Sequence, residues 1–209
     1  PGLHVLSIPE ELTFQLRQDL PAVLSALTVN DAQYVYEAIR LANPGGLGDA
    51  PEQDVRDEPT VTHQEPTPRA AARALDARRN ANGFADVFDF GVPAFLGAFE
   101  RFGAVEAAVI DSQLRWLAAY PDSLIARKNG AMVAEDVRNR AAEVLRLGGL
   151  ATPEGRRAGV ALDRYLRSDG NRLNPGTTAD LITACLFVAL RENKVTPAAP
   201  FRWQVSDWL

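Results

Sequence analysis

NPGTTADLITACLFVALRE (residues 174–192) decides the reading of this chain. Asn174 and Pro175 have the residue types of a helix cap and a first helical position, since proline has no amide to lose there. From Leu181 onward, Leu181, Ile182, Cys185, Leu186, Phe187, Val188 and Leu190 surround the axis. A helix that is apolar on all sides is expected at the centre of a fold, not on its surface.

Outward from this segment, apolar residues keep recurring at helical spacing, and alternating strand patterns are nearly absent. Helices are predicted over 17–27, 30–42, 68–90, 92–102, 104–119, 131–147 and 153–168. A short helical piece follows Pro121 and Asp122. The expected architecture is an all-α, single-domain helical bundle with a buried central helix near the C-terminus. Residues 1–27 read as an N-terminal segment, 28–194 as the helical domain, and 195–209 as a packing tail carrying Trp203 and Trp208.

The 209 residues are 46% hydrophobic, enough for a core, and the net charge of −5 disfavours a nucleic-acid groove. One cysteine, Cys185, excludes an internal disulfide and fits a reducing, cytoplasmic compartment. No apolar run has transmembrane length. His4 and His63 stand in no ligand spacing.

Asn-Pro-Gly occurs twice, at 43–45 and 174–176. In the second copy, amides of Gly176 and Thr177 at a helix start favour an anion, and Gly176 permits close approach. Asp180 follows one turn on, and an acid opening so apolar a helix is expected to be partly desolvated. In the first copy, Gly45, Gly46 and Gly48 precede an acidic run, in which Asp54, Asp57 and Glu58 suit a hard cation such as Mg²⁺. Arg78, Asn82 and Asp86 share one helix face, and Asp122, Arg127 and Lys128 form a cluster whose cations suit phosphate. Each feature also has a plain structural reading: a capped helix, a solvated acidic loop, or a salt-bridged surface.

Four blocks together resemble the triphosphoribosyl-dephospho-CoA synthase family: YEAIRLANPGGLGDAPEQDVRDEPT (36–60), NANGFADVFD (80–89), PDSLIARKNG with VAEDVRNRAAEV (121–144), and DGNRLNPGTTADLITACLFVALRE (169–192). The resemblance covers roughly residues 28–194. Its middle block is similar to a divergent branch, from archaea and from bacteria with tetrahydromethanopterin-linked one-carbon metabolism. Family members carry an upstream region with a Lys-Pro-Gly turn, so the resemblance implies a C-terminal part, with a homodimer or partner chain completing it.

It further implies ATP and Mg²⁺ as ligands, a CoA-like or pterin-like acceptor, and neither nucleic acid nor membrane as partner. In the implied reaction an acceptor hydroxyl attacks the anomeric carbon of ATP and adenine leaves. Asp180 or Asp86 would then act as base or stabilise the sugar cation. Asp54, Asp57 and Glu58 would hold metal. Gly45, Gly46, Gly48, Asn82, Arg127, Lys128, Asn174, Gly176 and Thr177 would hold the nucleotide, so 43–60 and 174–180 should meet in space. A noncatalytic nucleotide-binding subunit and a purely structural helical partner are the rival readings.

Overall fold

A computed structural model of the chain describes residues 14–42, 57 and 84–196. All regular elements among them are helical, as the all-α expectation requires. Two helices come first, α1 (Gln15–Ser25) and α2 (Val29–Ala42). A π turn, Val87–Gly91, leads into α3 (Val92–Phe102). There follow α4 (Val105–Ala119), α5 (Ser123–Asn129), α6 (Ala131–Arg146), α7 (Pro153–Asn171) and α8 (Gly176–Arg191). A single 3-10 turn, Gly149–Ala151, joins α6 to α7. The expected helix over 68–90 lies outside the described residues up to 83, as does the tail with Trp203 and Trp208.

The packing has two hydrophobic clusters that share α4. Val105, Ala108 and Trp116 of α4 join the first, with α3, the π turn and α8. Leu114 and Leu117 join the second, with α5, α6 and α7. Serving both sides, α4 buries residues all round its axis, including Asp111 and Ser112. The buried Asp111 carboxylate accepts from Arg115 Nε at 2.5 Å.

Helix α8 packs against α3, α4, α5 and the π turn. Leu181, Ile182, Cys185, Val188 and Ala189 are buried, which makes α8 a core element as expected. Its enclosure is not complete: Phe187 is 57% and Leu190 38% exposed, because its partners among the described residues lie on one side. A Schellman ending closes it. Asn193 is left-handed (φ 53°), Lys194 N–H donates to Ala189 O at 2.8 Å, Asn193 N–H donates to Leu190 O at 3.1 Å, and Val195 is buried just beyond.

Gly91 explains how closely α8 and α4 approach the π turn. A Cβ there would stand 2.7 Å from Trp116 Cζ2 and closer still to Cys185 Sγ. Helix α1 docks on the same region. Phe14 is 2% exposed with its ring 5.9 Å from that of Phe88, Arg17 pairs with Asp89, and Leu16 N–H donates to Glu192 Oε1 at 2.7 Å. Sequence periodicity gave Phe14 no role, since it stands alone ahead of its helix.

The buried position raises the Cys185 thiol from an ordinary 9.0 to about 12, mainly by desolvation, with the adjacent Trp116 indole pulling the other way. Thiol chemistry runs through the thiolate. Cys185 should therefore resist an aromatic disulfide reagent at pH 8 in the native protein and react fully in denaturant. The same shift has a stability consequence with a definite sign. The folded state keeps its proton while the unfolded thiol ionises, so this contribution is whole below pH 9 and is lost between 9 and about 12. Rapid native labelling at pH 8 would contradict this placement.

Candidate functional site

The blocks 121–130 and 174–180, far apart in sequence, meet at Asp122. Asp122 has the extended conformation of an N-cap (φ −67°, ψ 125°), and its Oδ1 accepts from Leu124 N at 2.9 Å and Ile125 N at 3.0 Å. Aspartate before a helix is a strong cap because its oxygen satisfies amides that lack an intrahelical partner. Its other oxygen reaches a second helix. Oδ2 accepts from both the backbone N–H and the hydroxyl of Thr178, each at 2.8 Å. One carboxylate, 2% exposed, thus caps α5 and occupies the start of α8. Both helix starts carry partial positive charge, which favours the anion between them.

Other bonds reinforce this junction. Ser123 Oγ and Thr177 Oγ1 are 2.8 Å apart, and Asn129 Nδ2 donates to Arg172 O at 2.9 Å. A Cβ on Gly176 would lie 2.5 Å from Leu124 Cδ2, so the lack of a side chain admits Leu124.

These contacts correct several sequence expectations. Helix α8 starts at Gly176, Pro175 stands at the cap position, and no side chain of its own segment caps it. Asn174 is exposed, and the capping carboxylate comes from Asp122, a distant residue that a local motif cannot reveal. Gly176 N–H donates to Asn174 O at 2.9 Å, and Leu124 fills the space where an anion was expected to approach. Asp180 is exposed rather than desolvated, because it falls outside the buried stripe of Thr178, Leu181 and Ile182.

The remaining expected residues fall in three groups. Arg127 and Lys128 are exposed in the last turn of α5, on the element that packs against the start of α8. Asp86 is half-buried and precedes the π turn. Asp57 is an exposed bend residue, while Gly45, Gly46, Gly48, Asp54, Glu58, Arg78 and Asn82 lie outside the described residues, as do His4 and His63. The expected meeting of 43–60 with 174–180 falls there too, apart from Asp57. Among the described residues no group of three or more His, Cys, Asp or Glu side chains is placed to hold a metal. None of their helices is long and apolar enough to cross a membrane.

Sequence reading missed a second polar group. Asp136 Oδ2 accepts from Arg140 Nε at 2.8 Å and from Tyr165 O–H at 2.9 Å, and the Arg140 guanidinium lies 4.2 Å from the Tyr165 ring centre. The Arg140 bond, helped by Tyr165 and opposed by partial burial, holds the Asp136 carboxyl below its ordinary range. The i, i+4 spacing of Asp136 and Arg140 was visible in sequence; the tyrosine from α7 was not.

The sequence pattern of the ATP:dephospho-CoA triphosphoribosyl transferase family matches residues 2–197. This chain belongs to that family. A probable 2-(5''-triphosphoribosyl)-3'-dephosphocoenzyme-A synthase of Stutzerimonas stutzeri (strain A1501) is 33% identical over 165 residues, 76% of this chain and 54% of the relative. Proteins with the same description are 31% identical over 115 residues in Pseudomonas savastanoi pv. phaseolicola (54% of this chain, 39% of the relative) and 30% identical over 136 residues in Pseudomonas putida (63% and 48%). The chain thus spans about half the length of the curated relatives it matches. No solved structure gives a significant match.

Proposed function

We propose that the chain forms part of an ATP-using transferase that moves the triphosphoribosyl group of ATP to an acceptor such as 3′-dephospho-CoA, with release of adenine. The family match over residues 2–197 carries this reading. The Asp122 junction supports it, because it fixes two of the resembling blocks side by side.

In this reading Arg127 and Lys128 bind phosphate oxygens. Both are exposed and sit on a short helix anchored through its cap, so their stems are positioned while their charges stay available. Asn174 and Thr177 orient the ligand at the neighbouring helix start. Gly176 contributes through packing, by admitting Leu124. Asp180 or Asp86 takes the acceptor proton or stabilises positive charge on the departing ribose, for which a fixed carboxylate is effective. Gly45, Gly46, Gly48 and Asn82 form the rest of the nucleotide wall, and Asp54, Asp57 and Glu58 hold Mg²⁺. That ion would neutralise triphosphate charge. Among the described residues no such cluster is present, and of these three only Asp57 is described. A cytoplasmic location belongs to the same reading, and no step depends on a second copy or partner chain.

Incubation with Mg-ATP and dephospho-CoA, or a pterin acceptor, should release adenine. Joint replacement of Arg127 and Lys128 with alanine should raise the KM for ATP by roughly 10- to 100-fold, the loss of one or two charge-assisted bonds, without changing the unfolding midpoint. An unchanged KM would remove these residues from the site.

A further inference from the structure

An open cleft of about 550 Å³ lies beside the Asp122 junction, between the end of α5 and the first half of α6. Its volume is in the range of small-molecule sites, roughly 300–1,000 Å³. Ala126, Ala131 and Met132 give it an apolar surface, and Glu135, Asp136 and Asn139 give it a polar edge. Met132 is 88% exposed. Two of the family-resembling segments, 121–130 and 133–144, supply most of this lining.

The chemistry of the edge selects a ligand class. Asp136 uses Oδ2 for both Arg140 and Tyr165, and among the described residues no hydrogen bond falls on Oδ1. Glu135 likewise engages Arg138 through Oε1 alone. Anionic acceptors of this kind repel phosphate and take hydroxyl or amine donors. A ribose diol and an exocyclic amine are such donors, and the flat face of a base fits an exposed thioether and two alanine methyls. The phosphate end of the same molecule needs cations; Arg127 and Lys128 do not line the cleft but are exposed on α5, the helix that supplies its lining residue Ala126.

The geometry points to this cleft as an adenosine subsite, with Asp136 as its polar anchor. The assignment rests on the transferase reading above, in which both ATP and dephospho-CoA carry adenosine.

Met132 is the sole methionine of the chain, so a methyl-labelled protein gives one methionine resonance that reports on this cleft. Adenosine, ATP and dephospho-CoA are each titrated to about 10 mM, above the millimolar Kd that about 4 kcal/mol of binding gives. Adenosine should move the signal in a saturable way, and the nucleotide that does so at lower concentration names the source. Asp136→Asn, with an unchanged free signal and circular dichroism, should weaken adenosine about tenfold, the loss of one charge-assisted bond. A signal that none of the three moves, or equal affinity in Asp136→Asn, overturns the assignment. Adenine release is measured separately, so a failed titration with intact turnover condemns the subsite and leaves the transferase reading standing.

Discussion

Asp122→Ala lowers the unfolding free energy by roughly 3–4 kcal/mol. The carboxylate is 2% exposed and accepts four hydrogen bonds, from Leu124 N, Ile125 N, Thr178 N and Thr178 Oγ1. Alanine leaves all four donors without their acceptor, and three of the four bonds, those from Ile125 N, Thr178 N and Thr178 Oγ1, are buried. A single lost cap costs about 1 kcal/mol, and here two helices lose theirs together. Donors stranded away from water cost more than the bond was worth, about 1–3 kcal/mol for each such group, although these losses are not additive. Asp122→Asn keeps one accepting oxygen and should fall between. Urea unfolding with an unchanged m value measures the loss. A change within about 0.5 kcal/mol, the level of an ordinary surface substitution, would show that this carboxylate does not join the two helices.

Trp116→Ala costs roughly 3–5 kcal/mol, the range of a large aromatic removed from a core. Trp116 is 1% exposed on the helix that both clusters share. Its ring stands edge-on to Phe90 at 4.8 Å and lies 5.7 Å from Tyr120, and it lies against Gly91 of the π turn. Removal opens a cavity where α4, α8 and the π turn meet, and the side chains around it relax only partly. For a chain of this size each kcal/mol shifts the thermal midpoint by about 2–4 °C, so a fall of roughly 6–20 °C is expected. Trp116→Phe should lose less, since much of the ring contact is kept. A fall of under about 2 °C for the alanine variant would place Trp116 outside the core.

The elements of this fold were legible because each is long and strongly periodic. In α6, Val137, Ala141 and Val144 are buried at helical spacing with Val133 half-buried against the same cluster, and α3, α4, α6 and α7 begin and end within a few residues of their expected limits. What periodicity does not encode is the partner. It gave α8 an apolar surface on every side, but its neighbours among the described residues cover only part of it, and Phe187 is exposed. It did not single out α4, which contacts both clusters. Nor did it reveal that Phe14 belongs to the core.

The site follows the same rule. Pro121-Asp122-Ser123 announces a capped helix, and the cap is there. That its second oxygen crosses to Thr178, 56 residues away, is tertiary information. The anion inferred for the start of α8 turned out to be a carboxylate of the protein itself. Arg127 and Lys128 were selected by residue type alone, and the structure shows both exposed in the last turn of α5.

The most direct measurement follows the label of γ-labelled ATP in the presence of the whole polypeptide that carries this chain, Mg²⁺ and dephospho-CoA or a pterin acceptor. Transfer of an unbroken triphosphoribosyl group predicts that the label moves into the acceptor product as adenine appears in equal amount. Label leaving as phosphate or pyrophosphate, or ATP left intact with every acceptor, would contradict the account.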